Sequence, residues 1–227
     1  MTTVILDLDG TLADTARDMI AGCNAVFSAR GEAPPLAWPN DAAPALRGGR
    51  SMLRLGHERA RGVWTEAAID ADYPALLEHY GRAVAVHSRM YPGAVEAIEA
   101  MRGLGWRVAV CTNKPQALAE ALLSALGVRG LFHALVGADT LPVKKPEAEA
   151  FRETVVRAGG DLARSVMVGD TETDHHTARA AGRPSVLVTF GPEGEGIARL
   201  APDALLHAWA DLPGIVPGLL AAPVAGR

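Results

Sequence analysis

Hydrophobic positions along the chain follow two rhythms, and the places where one gives way to the other mark its organisation. Val4-Ile5-Leu6, Val108-Ala109-Val110-Cys111 and Val166-Met167-Val168 are short, unbroken apolar runs. Such runs read as strands buried on both faces of a parallel sheet. A further strand is predicted over residues 185–189, and shorter ones near 135–137 and 204–206. Between them apolar residues recur at three- and four-residue spacing. Val95, Ile98, Met101 and Leu104 form one helical face that Gly105 closes, and Leu118, Leu122, Leu123 and Leu126 form another that Gly127 closes. Helices are also predicted over residues 147–158 and 173–181. Strands and helices alternating at these lengths imply an α/β fold: a Rossmann-like parallel sheet with helices on both faces and right-handed crossovers.

The alternation is interrupted once. Residues 15–89 contain no convincing strand. Met19, Ile20, Cys23, Val26 and Phe27 mark a helix ending at Gly31, with Asp14 or Thr15 as its N-cap. A proline-rich connector occupies 33–44, succeeded by short helical patterns at 46–55 and 63–71 and a longer one at about 74–87. The expectation is an all-helical cap domain, residues 15–89, inserted into a core made of residues 1–14 and 90–227. Residues 217–227 are expected to form a loosely held tail.

The chemistry concentrates at strand ends. In Asp7-Leu8-Asp9-Gly10-Thr11 two carboxylates spaced two apart end the first apolar run, and extended chain turns them the same way. Acids at the edge of a core are costly unless paired or metal-bound, and Gly10 lets the backbone turn away beside them. Two more strands end in Thr112 and Asp170, and a loop carries Lys145. In a parallel sheet these carboxyl ends share one edge, where open α/β sheets place their ligands. Of 22 basic residues only Lys114, Lys144 and Lys145 are lysines, and all lie beside these strands.

These residues resemble the motifs of the haloacid dehalogenase-like superfamily of aspartate-nucleophile hydrolases. Asp7-Leu8-Asp9-Gly10-Thr11 matches its first motif, Thr112 its second, Lys145-Pro146 its third, and Gly169-Asp170 with Asp174 its acidic fourth. Within the superfamily the chain is most similar to the phosphoglycolate phosphatase group, through Tyr91-Pro92-Gly93, Thr189-Phe190-Gly191 and Pro202-Asp203-Ala204. It departs from that group at Ala148, where proline is common, and at His175-His176.

The resemblance implies a Mg²⁺-dependent phosphatase acting on a small phosphate monoester. Asp7 would be the nucleophile that forms an aspartyl-phosphate, and Asp9 the acid that protonates the leaving group and then activates water. Thr112 and Lys145 would hold the phosphoryl group. The metal would bind Asp7, Asp170, Asp174 and the backbone carbonyl of Asp9. Asn113 is a candidate substrate contact, and Arg47 and Arg50, flanking Gly48-Gly49, are candidates for reading a leaving-group carboxylate. Acidic oxygen ligands with a substrate phosphate suit Mg²⁺.

Competing activities leave different marks. A dehalogenase has no need of Asp9, and a phosphonate hydrolase needs a cap lysine, whereas residues 1–113 contain none. A sugar-phosphate mutase, a phosphatase acting on a nucleotide or pyrophosphate, and a non-catalytic binding protein on this scaffold remain as alternatives. A net charge of −4 with 5% aromatic residues argues against a nucleic-acid surface. No apolar stretch approaches membrane-spanning length. Cys23 and Cys111, far apart in apolar contexts, read as buried thiols of a cytoplasmic protein. Lys114 reads as a solvent-facing or helix-capping residue. Adjacent His175 and His176 diverge by about 100° on a helix, which disfavours a shared ion. The pattern sets no oligomeric state.

Overall fold

The computed structural model describes residues 1–221. Its strands are β1 Thr3–Leu6, β2 Ala13–Asp14, β3 Arg89–Met90, β4 Arg107–Cys111, β5 Ala134–Val136, β6 Ser165–Gly169, β7 Ser185–Val188 and β8 Ala204–Leu206. Its helices are α1 Ala16–Ser28, α2 Ala42–Ala45, α3 Gly49–Arg61, α4 Glu66–Arg82, α5 Ala94–Gly103, α6 Gln116–Ala125, α7 Ala148–Arg157, α8 Glu172–Ala180 and α9 Leu212–Ala221. Two compact units result: Met1–Ala13 with the chain from Met90 onward, and Asp14–Arg89.

The first unit is built on six parallel strands in the order β5-β4-β1-β6-β7-β8. Ile5, Ala109, Cys111 and Met167 face Phe151, Val155 and Ala178 of α7 and α8 in one buried cluster. Alternation turns Val4, Leu6, Val108, Val110, Val166 and Val168 to the other face, where α5 packs on β4 and α9 on β6. β1 lies between β4 and β6, with Leu6 opposite both Val110 and Val168. This register brings the residues just past the three strands, Asp7, Thr112 and Asp170, onto one edge. All three of the segments that carried the family likeness serve packing or hydrogen bonding here. Tyr91, Phe190 and Trp209 form a row of rings 5.2 and 6.1 Å apart, and the Asp203 carboxylate accepts from the Ser185 amide at 2.8 Å.

Two sequence expectations fail in this architecture. The loose tail expected from residue 217 begins inside α9, where Leu212 and Val216 are buried one turn apart; positions 222–227 lie outside the described residues. The separate helical segments expected at 63–71 and from about 74 are instead joined across Pro74. α4 runs through it as one helix because Ile69, Asp72, Leu76 and Tyr80 carry one buried stripe across the proline. Burial of that stripe outweighs the lost backbone bond.

The second unit, Asp14–Arg89, consists of α1–α4. Helices α1 and α4 approach closely at Gly22, where a Cβ would come within 3.1 Å of the Tyr80 side chain. Buried Asp18 accepts from the His87 and Ser88 amides and from the Ser88 hydroxyl, fastening the unit's exit segment to α1. Asp72 is the polar centre of the unit. It pairs with Arg30 and accepts from His57 Nε2 at 2.8 Å. Burial pushes the Asp72 carboxyl up, but the bonds from Arg30 and His57 prevail and hold it below the usual range. Its stabilising contribution is therefore present above the unfolded-state pKa and lost as pH falls through the depressed folded value. Asp72→Asn should cost about 2 kcal/mol at pH 7, discounted because Arg30 is partly exposed. The deficit should shrink below about pH 4; urea unfolding at the two pH values measures both. No helix among the described residues is long and apolar enough to cross a membrane.

Candidate active site

The loops leaving the carboxyl ends of the three central strands assemble the site. Asp7 ends β1, and its amide donates to the Val168 carbonyl, so the sheet's own bonding fixes the carboxylate's origin. Gly10 takes φ +81°, and a Cβ there would lie 2.4 Å from Asp170 Oδ2. Glycine is required for the turn and for the space around that oxygen. Thr11 donates to Asp170 Oδ1 at 2.7 Å. Thr112 is buried past β4 and accepts from the Lys114 amide at 3.2 Å. Asn113 donates to the Lys145 carbonyl at 3.0 Å, tying the lysine's loop to the end of β4.

Lys145 is buried, with its ammonium 2.8 Å from Asp7 Oδ1 and 2.6 Å from Asp174 Oδ1. Asp174 Oδ2 accepts from the Thr171 amide and hydroxyl at the start of α8. Both Asp174 oxygens thus have donors already. Asp9 is the most open carboxylate of the group at 19% exposure, and Lys114 Nζ meets it at 2.8 and 3.2 Å.

Electrostatics show what the cluster lacks. Burial, reinforced by Asp174 and Asp9 and opposed by Lys145, pushes the Asp7 carboxyl up to about 6. Asp170 is raised well above the usual range by burial and by Asp174 and Asp7, against the Thr11 bond and Lys145. Burial disfavours the charged form of Lys145, but Asp174 and Asp7 overcome it and push the ammonium's pKa up, so it stays charged. Four carboxylates face two ammonium groups here, a deficit of two positive charges. Carboxylate oxygens of Asp7, Asp170 and Asp174 lie within 4.8 Å of one another. At an effective dielectric of about 20, each such pair repels by roughly 3–4 kcal/mol. Asp170 Oδ2 is buried with no hydrogen-bond donor among the described residues. An orphaned oxygen in an all-oxygen acidic set fits a hard divalent cation.

The sequence-derived core residues Asp7, Asp9, Thr112, Asn113, Lys145, Asp170 and Asp174 all lie in the first unit, around the carboxyl ends of β1, β4 and β6. Arg47 and Arg50 belong to the second unit. Arg47 is exposed just before α3, while Arg50 pairs with Asp70 at 2.7 Å and covers the Tyr73 ring. Gly49 serves close packing more than flexibility, since a Cβ there would come within 2.7 Å of Leu76 Cδ2. His175 donates to or accepts from Ser185 Oγ at 2.9 Å, and exposed His176 lies 3.7 Å from Glu172; neither belongs to the acidic cluster. Cys111 is buried, and burial pushes its thiol up to about 11, so it packs as an inert side chain.

Two residues of the candidate site take positions that the sequence pattern does not show. Lys114 was expected at a solvated or capping position but is buried against Asp9, because the turn after β4 aims it back at the sheet edge. Scarcity of lysine elsewhere was the available signal. Thr11, the last letter of the first motif, supports Asp170.

Comparison with known proteins agrees with this geometry. A family model described as haloacid dehalogenase-like hydrolase matches residues 1–182. The chain belongs to this hydrolase family. It is 37% identical over 216 residues to a phosphoglycolate phosphatase of Caulobacter vibrioides, covering 93% of this chain and 89% of that one. It is 38% identical over 208 residues to one from Agrobacterium fabrum, covering 92% and 89%. Among solved structures, the crystal structure of a predicted phosphoglycolate phosphatase from Haemophilus somnus 129pt superposes with TM-score 0.80 at 26% identity, covering 95% of this hydrolase and 97% of that chain. CbbY from Rhodobacter sphaeroides, in complex with phosphate, shares the fold with TM-score 0.75 at 24% identity, covering 96% and 99%.

Proposed function

We propose that this hydrolase is a Mg²⁺-dependent phosphatase of small phosphate monoesters, phosphoglycolate foremost, acting through an aspartyl-phosphate on Asp7. The observation that carries the reading is the division of the site's first motif. Asp7 is held by Lys145 beside the orphaned oxygen of Asp170, while Asp9, two residues on, is held separately by Lys114. This division suits one carboxylate to attack and the other to move protons. The relatives named phosphoglycolate phosphatase support the same substrate class.

In the proposed reaction an Asp7 carboxylate oxygen attacks phosphorus, and the bond from phosphorus to the leaving oxygen breaks as Asp9 gives that oxygen its proton. Asp9 then takes a proton from water, whose oxygen attacks phosphorus and releases the Asp7 carboxylate with inorganic phosphate. Thr112 and Lys145 donate to the phosphoryl oxygens. A Mg²⁺ ion held by Asp7, Asp170 and the Asp9 carbonyl, with Asp174 supporting, would supply the positive charge that the carboxylates and a phosphate dianion require. Residues 15–89 are proposed to act as the cap, with Arg47 and Arg50 as its offered arginines; Arg50 would give up Asp70 to reach a substrate. The two buried free cysteines fit a reducing, cytoplasmic setting.

A phosphate-release screen over small phosphomonoesters, with and without Mg²⁺, tests the proposal. Release should require the metal and be fastest with phosphoglycolate. Absence of release from every monoester, or full release in excess EDTA, would overturn it. Isomerised sugar phosphate without free phosphate would point to the mutase reading.

A further inference from the structure

The loop leaving β7 lies against the acidic cluster, and no step of the proposed reaction uses it. Gly191 is the point of contact. A Cβ there would stand 2.9 Å from Asp170 Cβ and 3.2 Å from the Gly10 carbonyl oxygen. One is the root of a side chain and the other is backbone, so neither can swing aside for an added methyl. Asp170 is bounded elsewhere as well. Thr11 donates to its Oδ1 at 2.7 Å, and a Cβ on Gly10 would lie 2.4 Å from its Oδ2. Two glycines and a hydroxyl thus fix where the orphaned oxygen of Asp170 stands.

The row of rings holds this loop in place. Phe190, the neighbour of Gly191, lies between Tyr91 and Trp209, with planes tilted by 50° and 43° and centroids 5.2 and 6.1 Å away. Those separations fall within the range that aromatic pairs prefer. Trp209 is buried at one end of the row. At the other end the Tyr91 amide donates to the Leu12 carbonyl at 2.9 Å. Leu12 belongs to the turn of Gly10, with its own amide on the Leu8 carbonyl at 3.0 Å. Before Phe190, the Thr189 amide ties the loop to Leu206 of β8 at 3.0 Å. The contacts therefore close on themselves, from the first-motif turn through Tyr91, Phe190 and Gly191 back to Gly10 and Asp170.

We propose that Phe190 and Gly191 are positioning residues for the divalent cation: the ring row presses Gly191 against Asp170 and so fixes the carboxylate offered to the ion. This inference rests on the metal-dependent reading given above. Groups that orient a metal ligand matter to affinity, and losing one typically weakens binding about 10- to 100-fold. A methyl at position 191 can be accommodated in two ways. Either the loop retreats, which draws Phe190 from between its neighbours, or Asp170 turns away from Asp7 and Asp174. The row opposes the first, so Asp170 gives way.

Titration calorimetry of the full chain with Mg²⁺ alone at pH 8 tests this, because the fitted Kd does not depend on the fraction of protein that is folded. Gly191→Ala should raise the Kd about tenfold or more. Phe190→Leu, which adds no atom beside the cluster, should raise it about threefold or more and serves where the alanine variant folds poorly. Phe190→Tyr keeps the ring and should keep the wild-type Kd. In the double variant the unpinned loop can retreat from the alanine. Its added penalty over Phe190→Leu should therefore fall to about threefold or less, a coupling that independent sites do not show. A packing role alone would lower the Tm of the variants in EDTA and leave the Kd where it is. An unchanged Kd in both single variants would overturn the proposal, and so would losses that simply multiply in the double variant. Failure of the wild-type protein to bind Mg²⁺ would overturn the metal reading itself, and this inference with it.

Discussion

Asp7→Asn is expected to lower kcat by a factor on the order of 10⁴ or more, because the amide keeps the shape of the side chain but is no nucleophile toward phosphorus. The same substitution should not weaken the fold. Burial raises the Asp7 carboxyl to about 6 in the folded protein from its ordinary value of 3.8. A carboxyl raised on folding makes the folded state bind more protons than the unfolded one, so stability falls as pH rises from the unfolded value through about 6. Above that window the metal-free wild type bears the full cost of the buried charge, on the order of 2–3 kcal/mol. Asparagine carries none of it. Thermal melts in EDTA should therefore show the variant at least as stable as wild type at pH 8, with the difference shrinking toward pH 4. Acid quenching of wild-type turnover should trap phosphate on protein, and the variant should trap none. A variant within a hundredfold of wild-type kcat would sink the covalent mechanism.

The parts of the molecule that could be read from sequence were those fixed by local rules. Unbroken apolar runs identified the strands, and parallel pairing then required Asp7, Thr112 and Asp170 to share an edge, as the register of Leu6 with Val110 and Val168 shows. What escaped depends on three-dimensional competition. Pro74 is a local breaker, yet the buried stripe of α4 overrides it, and no window of sequence weighs those two effects against each other. Lys114 looks like any lysine after a strand; only the folded turn aims it at Asp9. Arg50 stands beside two glycines in the sequence; its pairing with Asp70 and its place over Tyr73 come only from the packing of α3 on α4. In each case the outcome depends on which partner a side chain meets first in the folded chain.

Removal of Mg²⁺ is expected to abolish turnover under the proposed mechanism, and the protons that the cluster holds should set how tightly the ion binds. In the metal-free protein Asp170 is raised well above the ordinary carboxylate range by burial and by Asp174 and Asp7, and Asp7 is raised to about 6. A divalent cation must displace whatever protons these groups hold, so its affinity should fall steadily as pH drops through 6. Its stabilisation has the same sign. The ion relieves repulsion that exists only when the carboxyls are ionised, so the Mg²⁺-induced rise in Tm should be largest near pH 8 and small near pH 5. Titration calorimetry in buffers of different ionisation enthalpy should register proton release on Mg²⁺ binding near pH 6.5. Asp170→Asn removes the charge of the carboxylate whose Oδ2 lacks a donor, while leaving Thr11 a partner at the other oxygen. It should weaken Mg²⁺ binding at least about a hundredfold and reduce activity at fixed metal accordingly. Thr11→Val should cost about tenfold in affinity, since it frees Asp170 Oδ1 to rotate. If Asp170→Asn shows the wild-type thermal shift with Mg²⁺ at pH 8, the ion binds elsewhere, and the charge deficit around Asp7 must be met by protons alone.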